Sequence, residues 1–179
     1  MKRILALAGC VLLISLASEA AAQQIECAST APKVKAVTLP DYHPVTTLFQ
    51  FDTPNLQPLL TTTIVVSGTA TSGSCVVAHF STLARITDNY IVFQVRIDGI
   101  PMQGHLSAIG PYTTPGIFVS IDDAVTEQLS DPTKVVAYNF FARVRPGVHT
   151  VQVMVAAGSG IDPGNPPQVG SPVLTLQYR

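Results

Sequence analysis

The chain has 179 residues with 10 basic and 11 acidic side chains, 12 % charged and 47 % hydrophobic. Charge is scattered singly or in pairs such as Lys33/Lys35 and Arg143/Arg145, which speaks against nucleic acid, whose binding draws on a concentrated basic patch. It speaks equally against a polybasic membrane-surface segment.

The N-terminus reads as a secretory signal peptide over residues 1–22. Lys2 and Arg3 form the positive end, Ile4 to Leu16 is the apolar stretch, and Ala20-Ala21-Ala22 supplies the small residues before cleavage ahead of Gln23. Leu7-Ala8-Gly9-Cys10 also fits a lipoprotein processing box, but the apolar run continues past Cys10, so ordinary release to the periplasm or exterior is the expectation. No later run approaches the ~18 apolar residues of a membrane span, so no transmembrane segment is expected. Removing Lys2, Arg3 and Glu19 leaves 8 basic and 10 acidic residues.

Cys10 leaves with that peptide, and Cys27 and Cys75 remain. Two cysteines in an exported chain are expected to form one disulfide. Closing a loop of about 48 residues is worth roughly 4 kcal/mol on the chain-entropy model, less any native strain.

From residue 23 the chain is expected to form one domain. Residues 23–60, rich in proline at 32, 40, 44, 54 and 58, form an extended segment packed on a β-sandwich core of residues 61–179. Strands are expected at Val34–Leu39, Thr46–Phe51, Thr61–Ser67 and Cys75–Thr82. In Tyr90–Asp98, Ile91, Phe93, Val95 and Ile97 alternate with more polar neighbours, the period-2 pattern of a half-buried strand. Gly116–Ile121 follows, and then Ile121–Leu129 reads as one or two helical turns capped by Asp122 and stopped at Asp131-Pro132. Val136, Tyr138, Phe140, Ala142 and Val144 define the next strand, and Val151, Val153 and Val155 the one after. Pro146-Gly147 between them predicts a hairpin. Residues 158–172 (GSGIDPGNPPQVGSP) read as a long loop before a last strand, Val173–Tyr178. About nine strands at this spacing predict an all-β fold, an antiparallel sandwich of immunoglobulin-like or jelly-roll type.

Candidate chemistry is sparse. His43, His79, His105 and His149 stand at no metal-ligand spacing, so neither metal nor cofactor is expected. The acidic residues Asp122, Asp123, Glu127 and Asp131, and the Asp162–Asn165 turn, lack calcium-loop spacing. Strand parity turns His79 away from the core and His149 toward it, at the rim just after the turn. His149 therefore reads as a side chain closing one end of the core, largely buried and without a carboxylate cluster. Hydrolase signatures such as Gly-x-Ser-x-Gly and His-Glu-x-x-His are missing from the sequence.

At SGSCVVAHFST, YIVFQVRIDGIPM and RPGVHTVQVMV, the chain resembles a loose group of exported bacterial β-sandwich proteins. They share a Cys-hydrophobic-Phe-Ser strand, a Val-x-Val-x-x-Asp-Gly hairpin and a Pro-Gly-x-His-Thr-Val strand. The resemblance covers Ser67 to Val155, implies the fold and export, and carries over no catalytic residue.

The leading expectation is a non-enzymatic exported sandwich acting by surface recognition of an extracellular or envelope partner, or as a structural component there. The main alternative is a small secreted hydrolase with a site in loops 104–116 (Gly104, His105, Tyr112) and 158–172, with His149 nearby; His105, Tyr112, His149 and Asp162 are the candidate binding residues. A third reading is a carbohydrate-binding module using Tyr42, Tyr90, Tyr112, Tyr138 and Tyr178; the lack of Trp weakens it.

Overall fold

The computed structural model describes residues 33–49, 55–68, 73–86, 90–104, 116–120, 133–158 and 164–179. The expected helical turns at 121–129 lie outside them. The described chain is all β, with ten strands: β1 Lys33–Thr38, β2 Tyr42–Pro44, β3 Gln57–Val66, β4 Ser74–Arg85, β5 Tyr90–Ile97, β6 Ile100–Pro101, β7 Ile117–Ser120, β8 Thr133–Val144, β9 Gly147–Ala157 and β10 Gln168–Tyr178.

These strands build two five-stranded sheets. One has the order β1-β10-β4-β8, with β2 also on β10; the other has β3-β9-β5-β6, with β7 also on β5. Every strand pairing is antiparallel. The pairs β1·β10, β3·β9, β4·β8 and β5·β7 are nested, as in one long hairpin doubled back and rolled up. That nesting, closed by the β10·β4 and β9·β5 pairings, makes the sandwich a jelly roll.

The alternation that marks the strands also fills the core. Val76, Ala78, Phe80 and Ala84 of β4 meet Phe140 and Val136 of β8, Leu174 and Leu176 of β10, and Ile91, Phe93 and Val95 of β5 from the facing sheet. Phe80 and Phe93 join the layers directly, their ring centroids 5.3 Å apart at a tilt of 50°.

Four expectations change. Pro146-Gly147 does not close a hairpin: β8 pairs with β4 and β9 with β3 and β5, so this turn carries the chain from one sheet to the other. Two half-buried strands joined by a tight turn satisfy the same alternation whether they lie side by side or face each other across a core.

Residues 45–47 are not a strand, and Leu48 makes only an isolated bridge to Ala157. The Gln57 side chain takes the place of a ladder there. Its Oε1 accepts from the amides and hydroxyls of Thr46 and Thr47 at 2.9–3.2 Å, and its Nε2 donates to the Pro44 carbonyl at 3.2 Å. Phe49, whose amide donates to the Ala157 carbonyl at 2.7 Å, packs with Val92 and Ala156 on the outer face of the β5 sheet.

The third strand begins at Gln57 rather than Thr61 and runs through Pro58 with a register shift before Leu60. An edge strand tolerates a proline that an interior strand would not. The last strand likewise begins at Gln168, inside the expected loop. Its register slips between Gly170 and Val173, Ser171 takes a φ of 44°, and its amide donates to the Asp41 carbonyl at 2.9 Å. The bulge lets one strand pair with both β1 and β2.

Candidate functional site

The site grows from an Asp-Gly turn. β5 and β6 are joined by Asp98 and Gly99, with φ values of 50° and 81°, and Ile97 pairs with Ile100. Two central residues at positive φ match the twist of the strands, which is why Asp-Gly is favoured there.

This turn is stitched to the start of β9. The Asp98 amide donates to the Thr150 carbonyl at 2.8 Å, and the Thr150 amide donates to Asp98 Oδ1 at 2.9 Å. The other carboxylate oxygen, Oδ2, lies 2.6 Å from Nδ1 of His149. On the far side of the ring, Nε2 lies 2.7 Å from the carbonyl oxygen of Arg145, the residue that ends the β8 side of the crossover. The imidazole thus ties the Asp98-Gly99 turn to the Arg145-Pro146-Gly147 turn.

Both ring nitrogens face acceptors, so both must carry a proton for both bonds to form. The electrostatics agree. Burial pulls the His149 pKa down, but the bonds to Asp98 and to the Arg145 carbonyl outweigh it and raise it above its ordinary value. The His149 hydrogen bond holds Asp98 below its ordinary value, helped by the Thr150 amide and opposed by partial burial. The His149 side chain is 11 % exposed and that of Asp98 47 %.

An Asp–His pair is two thirds of a hydrolytic triad, and the comparison decides what the pair can do. In a triad, Asp holds Nδ1 and Nε2 faces the nucleophile whose proton it takes. Here Nε2 faces a main-chain carbonyl rather than a nucleophile. The arrangement is a clasp.

Of the other expected site residues, His105, Tyr112 and Asp162 lie outside the described residues, as does Cys27. Cys75, at the start of β4, is disulfide-bonded. His79 is exposed on the outer face of the β4 sheet, as its parity predicts, and His43 Nε2 lies 2.9 Å from the Pro40 carbonyl. Among the described residues no group of three or more His, Cys, Asp or Glu side chains could hold a metal ion, and no helix is long and apolar enough to cross a membrane.

Sequence reading placed Asp98 at the end of the Tyr90–Asp98 strand and missed it as the partner of His149, 51 positions away. Only the β5·β9 register, with Ile97 opposite Val151, brings them together. It also missed Gln94, which is 1 % exposed in the covered half of the outer face and accepts a hydrogen bond from Arg96 Nε. Burial lowers the Arg96 pKa from its ordinary value.

No protein-family model matches the sequence, and no curated protein does either. Among solved structures, the chain is similar to the EclA C-terminal domain, described as a sugar-binding protein, at 12 % identity and a TM-score of 0.40 over 87 % of this chain and 86 % of that one. It is also similar to the infectious bursal disease virus VP2 subviral particle at 13 % identity and a TM-score of 0.47. That match covers 88 % of this chain and 36 % of VP2.

Proposed function

We propose that this chain is an exported β-sandwich that works by surface recognition, or as a structural part of an extracellular or envelope assembly, and not by catalysis. The observation that carries the reading is the clasp: His149 spends both nitrogens on internal acceptors, Asp98 and the Arg145 carbonyl. The signal-like N-terminus and the disulfide-bonded Cys75 support export, with Gln23 as the first residue after processing and Cys27 as the partner of Cys75.

The test uses protein recovered from the exporting cell. Its N-terminus is expected at Gln23, and a lipid-modified Cys10 would overturn the localisation. Ester, glycoside and peptide substrates are expected to show no turnover that depends on His149. Turnover that disappears in a folded His149→Ala variant would make the protein an enzyme and end the recognition reading.

A further inference from the structure

The two outer faces of the sandwich are unlike. On the β5 sheet, Phe49 covers Val92 and Ala156, and the uncovered part carries Arg96 and the exposed pair Val65 and Val148. On the β4 sheet, four cross-strand rows run from β1 or β2 through β10 and β4 to β8. The outermost of these rows contains Val34, Gln177, Val77 and Phe141, and the innermost contains Tyr42, Gly170, Leu83 and Val135. Between them lie two rows of small or uncharged residues, among them His79, Ala137 and Val173. All of these but Gly170 are exposed or half-buried, with Val135 at 79 %, Val34 at 62 % and Tyr42 at 52 %. No Asp, Glu, Lys or Arg stands in the four rows; Arg143 and Arg85 lie just beyond them, opposite Cys75 and Thr133.

The sheet edges offer less. Lys35 Nζ donates to the Thr63 carbonyl at 2.8 Å, Lys33 Nζ donates to Ser67 Oγ at 3.0 Å, and the Ser67 amide donates to the Arg179 carbonyl at 2.6 Å, all along the outer edge of β3. On the outer edge of β8, Phe141 exchanges both backbone bonds with Gln103. Strand addition at either place would first have to displace these groups.

We propose that the outer face of the β1-β10-β4-β8 sheet is a self-association surface, and that its partner is a second copy of this chain packed face to face about a twofold axis. A twofold contact sets a patch against itself, so a charge in the patch meets its own kind; a centre without fixed charge removes that penalty. Strands about 4.8 Å apart and residue pairs about 6.8 Å apart give each position roughly 30 Å², so four rows across four strands span about 500 Å² in projection. Side chains roughen that plane, and the accessible area therefore approaches the ~800 Å² per partner of a standard interface. The β4 sheet would then be covered on both faces, as the β5 sheet already partly is.

The test is sedimentation equilibrium of the exported protein over about 1–100 µM, where mass action separates monomer from dimer. The wild-type mass is expected to rise toward twice the monomer. Val77→Glu and the more exposed Val135→Glu each place a carboxylate on both sides of the contact and should weaken association by about a hundredfold or more. Thr61→Glu, on the other outer face, should leave it unchanged, with circular dichroism confirming the fold of all three. A monomer at every concentration overturns the proposal. So does a dimer indifferent to Val77→Glu and Val135→Glu, or a monomer in which those changes abolish binding to some other partner.

Discussion

His149 and Asp98 meet at 2.6 Å, and the ring's other nitrogen is fastened to a different turn. Each group favours the charged form of the other, and both of the ring's hydrogen bonds form together only when the imidazole is protonated. A raised histidine pKa contributes stability below its ordinary value near 6.5 and loses it as pH rises through the folded value. A lowered aspartate pKa contributes above its ordinary value near 3.8 and loses it as pH falls through the folded value. The clasp is therefore at full strength between about pH 4 and 6.5. His149→Ala is expected to lower Tm by about 3 °C near pH 5.5, corresponding to ~1 kcal/mol for a charged hydrogen bond discounted for the exposure of Asp98. At pH 9 that difference should shrink; an equal loss at both pH values would mean that His149 acts by packing alone.

Asp98→Asn isolates the charge. Asn tolerates the positive φ of this turn and can still accept from the Thr150 amide. It also lets a neutral ring accept at Nδ1 and donate from Nε2 to the Arg145 carbonyl. In an NMR titration the His149 pKa is expected to fall in this variant relative to wild type; no change would refute the assignment of Asp98 as the main upward influence.

Gly104 and Gly170 should tolerate a methyl group unequally. A Cβ on Gly104 would stand 2.4 Å from the Asn139 carbonyl oxygen, at a φ of 107°, so the obstacle is backbone. A Cβ on Gly170 would stand 2.6 Å from Cε1 of Tyr42, a half-exposed ring that can swing away. Gly104→Ala is expected to cost at least about 2 kcal/mol in urea unfolding and Gly170→Ala about 1 kcal/mol. Tyr42→Ala should absorb most of the second penalty in a double-mutant cycle.

Gln57→Leu removes the acceptor shared by Thr46 and Thr47 and the donor to Pro44. A loss of about 2 kcal/mol is expected. In hydrogen exchange the amides of Thr46, Thr47 and Phe49 should lose protection well before those of β9. Uniform loss across the sandwich would show that the segment is not held locally.

Lys33→Met with Lys35→Met should change stability by less than about 1 kcal/mol, because exposed ammonium groups contribute little. Aggregation on heating should increase, since the carbonyls of Thr63 and Val65 then face solvent without their cations. Light scattering indistinguishable from wild type would show that the lysines do not guard the edge.

Strands and their inward faces were legible wherever one side is buried and the other wet. Val76, Ala78 and Phe80, or Val136 and Phe140, point to the core as their spacing predicts. Legibility faded where both faces are covered: the alternation of β5 and β9 reads as a half-buried strand, yet Val92, Gln94, Met154 and Ala156 are buried opposite an equally buried inner row. It failed for partnership. Nothing local in Pro146-Gly147 tells a hairpin from a crossover, and nothing near Asp98 points to a histidine two turns of fold away. A side chain such as Gln57 that stands in for a strand leaves no periodic trace at all.

The nested pairing of the jelly roll has an assembly consequence. β10 lies between β1 and β4, so the sheet's first strand has no neighbour until the last one arrives, and Lys33 settles opposite Tyr178. For a chain proposed to cross a membrane N-terminus first, the fold cannot lock while the final segment is still inside the pore. Closure waits for the whole chain, and so high a contact order sets a slow pace for it.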